Sequence, residues 1–360
     1  MTTIEALLPS DTPLGLIDAD GHRRAGASLP ENETLLELYR RMTVGRRFDA
    51  QATALTKQGR LAVYPSSHGQ EACQIGAVLA LREQDWLFPT YRDSVAIVSR
   101  AVPPVEVLSL LRGDWHCGYD PYAYRVAPQC TPLATNTLHA VGLGHAARLK
   151  GEDQVALVLL GDGATSEGDT HEALNFAAVW KAPVVFLVQN NGYAISVPLS
   201  KQTAAPTLAH KGVGYGMRSR LVDGNDAAAV HAVVREAVEH AAAGEGPTLI
   251  EALTYRIEAH TNADDASRYR DSDEVRAWLE RDPIKRLRVY LHDAGLLDDA
   301  TEAGFAEQAE RFAADVREAM NADAVVDPVE LFEHVYATPT PALLAQRAEL
   351  MAELDEEARA

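Results

Sequence analysis

Two polar clusters, each closing an apolar run, constrain this chain more than any other feature. Residues 155–163 read Val-Ala-Leu-Val-Leu-Leu-Gly-Asp-Gly. The run Val155–Leu160 has the length and branched content of a buried parallel strand, and Gly161-Asp162-Gly163 breaks it sharply. Thr170–Trp180 has the composition of a helix. Pro183 then precedes a second apolar run, Val184–Val188, which ends at Asn190-Asn191-Gly192. Strand, turn, helix and strand in that order make a parallel crossover. Open parallel sheets bind ligands beyond the carboxyl ends of their strands, so both clusters are expected to meet there.

Asp162 offers a carboxylate, Asn191 an amide oxygen, and the turn after it free backbone carbonyls. Such hard oxygens suit Mg²⁺, which keeps waters and phosphate oxygens in its remaining positions. The glycines let backbone N–H groups approach a diphosphate, and the following helix directs its positive end there. The 26 residues from Ala164 to Gln189 separate Gly-Asp-Gly from Asn-Asn. That pair at that separation resembles the thiamine diphosphate (ThDP) binding motif.

Charge narrows the partners. Lys and Arg number 33 against 52 Asp and Glu, a net of −19, which argues against a nucleic-acid or membrane-surface binder. Residues 298–360 hold 16 acidic and 4 basic side chains, read as solvated helix faces. Cys73, Cys117 and Cys130 form neither a disulfide framework nor a zinc pattern, and His116-Cys117 lacks the second pair that a metal site needs. With no signal-like segment at the start and no apolar run of membrane-spanning length, a cytoplasmic protein is expected.

Along the chain, residues 1–30 read as an irregular arm, 31–336 as one doubly wound α/β domain with helical additions, and 337–360 as a helical tail. Helices are expected at Glu31–Thr56, Gln70–Leu81, Leu133–Lys150, Ala227–Ala243, Ser272–Leu297 and Thr301–Ala322. A short apolar strand running into a polar turn is expected over Asp85–Asp93, and a strand over Thr248–Tyr255. Arg112–Pro132, rich in Gly, Pro and aromatics, reads as a long loop.

Laid end to end, these segments resemble the α subunit of the decarboxylating first component of 2-oxo acid dehydrogenase complexes. The likeness runs from about Glu31 to Tyr336. It rests on Ser67-His68-Gly69-Gln70-Glu71-Ala72, Phe88–Asp93, Thr131–Thr135, Gly161–Asp169, Gln189–Ser196, Val222–Asp226 and Tyr255-Arg256 through His260 to Arg270. The resemblance implies a ThDP-binding fold and a role for each matching residue. Asp162, Asn191 and the Tyr193 carbonyl would hold Mg²⁺, and Gly161, Gly163 and Ala164 would lie against the diphosphate. Tyr91 and Arg92 would hydrogen-bond the phosphates, the forked guanidinium suiting that geometry. Thr131 and Leu133 would sit by the cofactor, with the Leu133 backbone at the aminopyrimidine. His260 would face the reacting centre, where an imidazole can move protons near neutral pH.

The chain departs from that pattern in four places. It has Ala259-His260 where branched-chain members often carry two histidines, and Cys130-Thr131 where a potassium-binding Ser-Ser can stand. Gln189 occupies the position of a phosphate-contacting Arg, so one ionic contact is missing. Thr261 replaces the serine modified by regulatory kinases.

The family's activating Glu belongs to a β subunit, and a single crossover of this type is found here. The resemblance therefore implies an α₂β₂ enzyme that decarboxylates a 2-oxo acid and passes the acyl group to lipoyl-lysine on an acyltransferase. Asp264-Asp265 favours a branched-chain substrate, with pyruvate as the alternative. A self-sufficient ThDP decarboxylase and a non-catalytic diphosphate-binding scaffold remain as further readings.

Overall fold

The apolar run after Val155 becomes the second of five parallel strands. The computed structural model describes residues 4–114, 117–323 and 327–359. Strands β1 (Trp86–Phe88), β2 (Ala156–Gly161), β3 (Val184–Asn190), β4 (Arg218–Asp223) and β5 (Thr248–Leu253) form one sheet in the order β1-β2-β3-β5-β4. Every residue of β3 is buried. A parallel sheet covered on both faces has no need of alternation, which is why these strands read as unbroken apolar runs.

Successive side chains of β2 and β3 point to opposite faces and feed two separate cores. Leu157, Leu159, Val185 and Leu187 pack with helices α1 (Asn32–Lys57), α2 (Glu71–Leu79) and α5 (Ala227–Ala242). Val158, Leu160, Phe186 and Val188 pack with α3 (Thr135–Lys150) and α4 (Gly168–Trp180). The expected doubly wound α/β architecture is therefore present, in three layers.

Strand β4 was not anticipated. Its alternating Arg218 and Arg220 are half-buried, as suits a charged sheet edge. Residues of the expected irregular arm cover that edge. Leu14 N–H donates to Leu221 O and Asp223 N–H to Leu14 O, each at 2.9 Å. The single helix expected over Ser272–Leu297 is two, Ser272–Leu279 and α6 (Pro283–Asp293). Pro283 has no N–H for the helix interior, and Asp282 restarts the chain by accepting from Ile284 and Lys285 N–H at 2.9 Å.

The long loop before Pro132 carries a short helix, Pro121–Tyr124, and Cys130 bridges to Thr90. His116 lies outside the described residues. The three cysteines are free. The chain divides into two compact units, Met1–Met320 and Asn321–Ala360, and the second is built on α8, which follows α7 (Asp299–Asn321) and spans Pro341–Glu357. Among the described residues, no helix is long and apolar enough to cross a membrane.

Candidate functional site

The two polar clusters meet. Gly161, the last residue of β2, stands directly beside Gln189 in β3, and Gln189 beside Ala252 in β5. A cleft opens at these carboxyl ends, and every residue expected at a cofactor or metal lines it, with one exception. Thr131 is exposed and lies outside the lining. Gln70, Thr90, Glu167, Ala194, Ile195 and Arg256, to which the sequence assigned no role, line it as well.

Asp162 is 1% exposed, and that burial pushes its carboxyl above the usual carboxylate range. The Gln202 Nε2 donates to it at 2.6 Å, while the cation nearby, Arg256, acts through space without a direct ion pair. The Asn191 side chain is held at both ends: its Nδ2 donates to Gln70 Oε1 at 2.9 Å and its Oδ1 accepts from Tyr193 N–H at 3.2 Å. Gly192, with φ of 87°, lets the chain turn between them. A buried carboxylate short of a paired cation, an amide oxygen and the Tyr193 carbonyl are the donors a hard divalent cation takes.

Glycine shapes the rest of the cradle. A Cβ on Gly161 would meet no atom within 4 Å, so its backbone borders open cleft. On Gly163 it would stand 2.7 Å from Ala194 Cβ, so glycine there lets the turn close against the hairpin of Tyr193–Ala194 and Val197–Pro198.

Two buried guanidinium groups converge on His260. Arg92 Nη2 lies 3.0 Å from His260 Nδ1 and donates to the His260 carbonyl at 2.9 Å, while its Nη1 donates to Ser66 O at 3.0 Å. Arg256 Nη1 lies 3.4 Å from the same Nδ1. Guanidinium only donates, so Nδ1 is the acceptor and the ring proton sits on Nε2. Burial first, then Arg92 and Arg256, push the imidazole pKa down to about 4. His260 is thereby held neutral at pH 7, with its proton on Nε2.

Arg256, 1% exposed, also donates to the Ile195 carbonyl at 2.7 Å and to the Tyr269 hydroxyl at 2.9 Å. Tyr269 in turn donates to Asp264, which accepts His260 N–H at 2.8 Å. The segment from His260 to Tyr269 is thereby tied to the turn that carries Tyr193. Nothing in sequence spacing announces this, because Arg256 and Ile195 lie 61 residues apart. An Arg placed directly after the expected strand Thr248–Tyr255 was the available hint.

Comparison with known proteins agrees with this architecture. The family described as dehydrogenase E1 component matches residues 39–326. The 3-methyl-2-oxobutanoate dehydrogenase subunit alpha of Mycobacterium tuberculosis is 49% identical over 346 residues, covering 95% of this chain and 94% of that protein. The pyruvate dehydrogenase E1 component subunit alpha of Staphylococcus aureus is 41% identical over 290 residues, covering 80% of this chain and 78% of that protein. With a buried oxygen donor set at the strand ends and a family match across most of its length, the chain belongs to the dehydrogenase E1 component family.

Proposed function

We propose that this chain is the α subunit of a 2-oxo acid dehydrogenase, binding ThDP and Mg²⁺ in the cleft and acting with a β subunit on a branched-chain 2-oxo acid. The observation that carries the reading is the juxtaposition of buried Asp162 with Asn191 at the ends of adjacent strands. When bound, ThDP supplies the electron sink for decarboxylation, and the protein's task is binding and orientation. Asp162, Asn191 and the Tyr193 carbonyl would hold the metal. Gly163 and Ala164 open a short helical turn whose free N–H groups suit a diphosphate. Leu133, an apolar side chain 39% exposed at the cleft, offers a surface for a ring. His260 holds its proton on Nε2 and lines the cleft, where it would donate to an oxygen of a bound substrate.

The branched-chain preference rests on the higher identity to the Mycobacterium relative, named for 3-methyl-2-oxobutanoate, than to the Staphylococcus relative, named for pyruvate. The acyl group would pass to a lipoylated acyltransferase. Co-production with the β subunit and a panel of 2-oxo acids tests the reading. The expected result is a higher kcat/KM for 3-methyl-2-oxobutanoate than for pyruvate. The reverse order would move the chain to the pyruvate reading, and no turnover of either would overturn the assignment.

A further inference from the structure

Gln189 is fully engaged inside the protein. Its Nε2 donates to Asp93 Oδ1 at 2.7 Å, and its Oε1 accepts from Gln70 Nε2 at 2.9 Å. Gln70 Oε1 in turn accepts from Asn191 Nδ2 at 2.9 Å. Asp93, Gln189, Gln70 and Asn191 are all at least nine-tenths buried, so water is a poor substitute for any link. The four side chains form one directional chain in which each amide passes its donor end toward Asp93.

The direction has a physical cause. A carboxylate only accepts, and Asp93 accepts at both oxygens: Oδ1 from Gln189, and Oδ2 from the Thr90 N–H and Thr90 hydroxyl, both at 2.7 Å. Gln189 must therefore turn its NH₂ to Asp93 and its oxygen to Gln70, which fixes Gln70, which fixes Asn191. The outcome is that Asn191 spends its NH₂ inward and keeps Oδ1 for the turn. A flipped Asn191 would turn its NH₂ onto the Tyr193 N–H, donor against donor.

From this geometry we infer that Asp93 is a positioning residue for the metal, acting through Gln189 and Gln70 to hold the Asn191 amide with its oxygen outward. The inference rests on the proposed function, in which Asn191 Oδ1 is a metal ligand. Groups that orient metal ligands in this way commonly govern affinity although they never touch the ion. It also gives Gln189 a task in place of the phosphate contact absent at that position.

Asp93→Asn is the direct test, because it keeps the shape and removes the double acceptor. Its oxygen can serve the Thr90 N–H or Gln189, and the other side then meets donor against donor. Mg²⁺ is titrated by calorimetry into the assembled enzyme saturated with ThDP, alongside thermal melting. Asp93→Asn is expected to weaken Mg²⁺ roughly 10- to 100-fold. Gln189→Met, which cuts the chain in the middle, should do the same and serves alone if Asp93→Asn fails to fold. The double variant should lose no more than the worse single one, since both interrupt one relay.

Unchanged Mg²⁺ affinity with a lowered melting temperature would overturn the relay and leave Asp93 a structural residue. Additive losses would overturn it too. A wild-type enzyme that takes up ThDP without any Mg²⁺ dependence would instead overturn the parent reading, and the relay with it.

Discussion

Arg92 and His260 are joined side chain to side chain, with Nη2 of the arginine 3.0 Å from Nδ1 of the histidine. The contact decides which ring nitrogen carries the proton, and it couples two residues whose sequence roles were separate. Arg92 also donates to the His260 carbonyl, so it holds the backbone as well as the ring. Tyr91 packs edge-on against the imidazole, with ring centroids 6.1 Å apart. A neutral, immobile histidine at the cleft is the consequence.

Arg92→Ala should weaken ThDP binding by roughly ten- to over a hundredfold, the cost of about 1.5–3 kcal/mol for a charged hydrogen bond. It should also raise the His260 pKa from about 4 toward its ordinary value, since a positive neighbour has been removed. Calorimetry reads the first effect and a histidine NMR titration the second. His260→Ala should spare cofactor affinity and lower turnover. The opposite pattern would transpose the two roles.

The ends of β2 and β3 were legible because apolar runs stop where glycine or asparagine begins; that Gly161 pairs with Gln189 is a finding of the structure. Helix α6 was blurred, since Asp282-Pro283 interrupts a pattern whose apolar spacing continues on both sides. Strand β4 escaped for the reason that makes it an edge: alternating arginines mask its buried Ser219, Leu221 and Val222. The site residues missed, Gln70 and Arg256 among them, and the task of Gln189, were those whose meaning is a long-range partner. Gln189 read as a lost ionic contact, yet Asp93, 96 positions earlier, makes it part of a buried chain. Sequence spacing carries no trace of such pairings.

Metal dependence gives the next test. Asp162→Ala should abolish Mg²⁺-dependent ThDP binding, because a carboxylate ligand has no neutral replacement at the diphosphate. The Gln202 amide would lose its acceptor in the same variant. Calorimetric titration of the assembled enzyme with ThDP, with and without Mg²⁺, reads the result. Equal ThDP affinity in variant and wild type would remove Asp162 from the metal site.

The acid limb of stability has an identifiable contributor in His231, on α5. It is 4% exposed, its Nδ1 has no partner among the described residues, and burial followed by Arg235 pushes its pKa from 6.5 to about 4. Between those values the unfolded chain binds more protons than the folded one, so stability falls as pH falls. The full effect is about 3 kcal/mol for this residue. Urea denaturation of His231→Gln from pH 7 to pH 4.5 should show a shallower decline than the wild type. Buried carboxylates such as Asp49 and Asp93, whose pKa values burial raises, work in the other direction. The comparison with the variant isolates the histidine. Parallel curves would rule it out.

Ile195 is a β-branched residue at φ of 56°, a conformation that L side chains rarely adopt. It is held there by Arg256, which grips its carbonyl at 2.7 Å, and its side chain is 55% exposed. Little burial is lost on shortening it, so relief of strain dominates. Ile195→Gly is expected to stabilise the folded chain by about 1 kcal/mol in chemical denaturation. A loss of similar size would mean that the side chain has packing value the conformation does not reveal.

The last prediction concerns what the cleft lacks. Besides Asp162, Glu167 is a carboxylate lining the cleft; it is exposed and lies in the same turn as Gly163 and Ala164. Among the described residues no other carboxylate lines the cleft, and under the proposed function the acid for the pyrimidine end of the cofactor would come from the β subunit. The exposed apolar side chains Leu149 on α3 and Phe176 and Val179 on α4 leave surface for such a partner. The purified chain with ThDP, Mg²⁺ and a 2-oxo acid should release no carbon dioxide, and activity should appear when β is added. Glu167→Gln in the assembled enzyme should leave turnover within about threefold, since a group outside the chemistry contributes less than about 1 kcal/mol. Robust multiple-turnover decarboxylation by the single chain, abolished in Glu167→Gln, would place the activating acid in this sequence and remove the need for a partner.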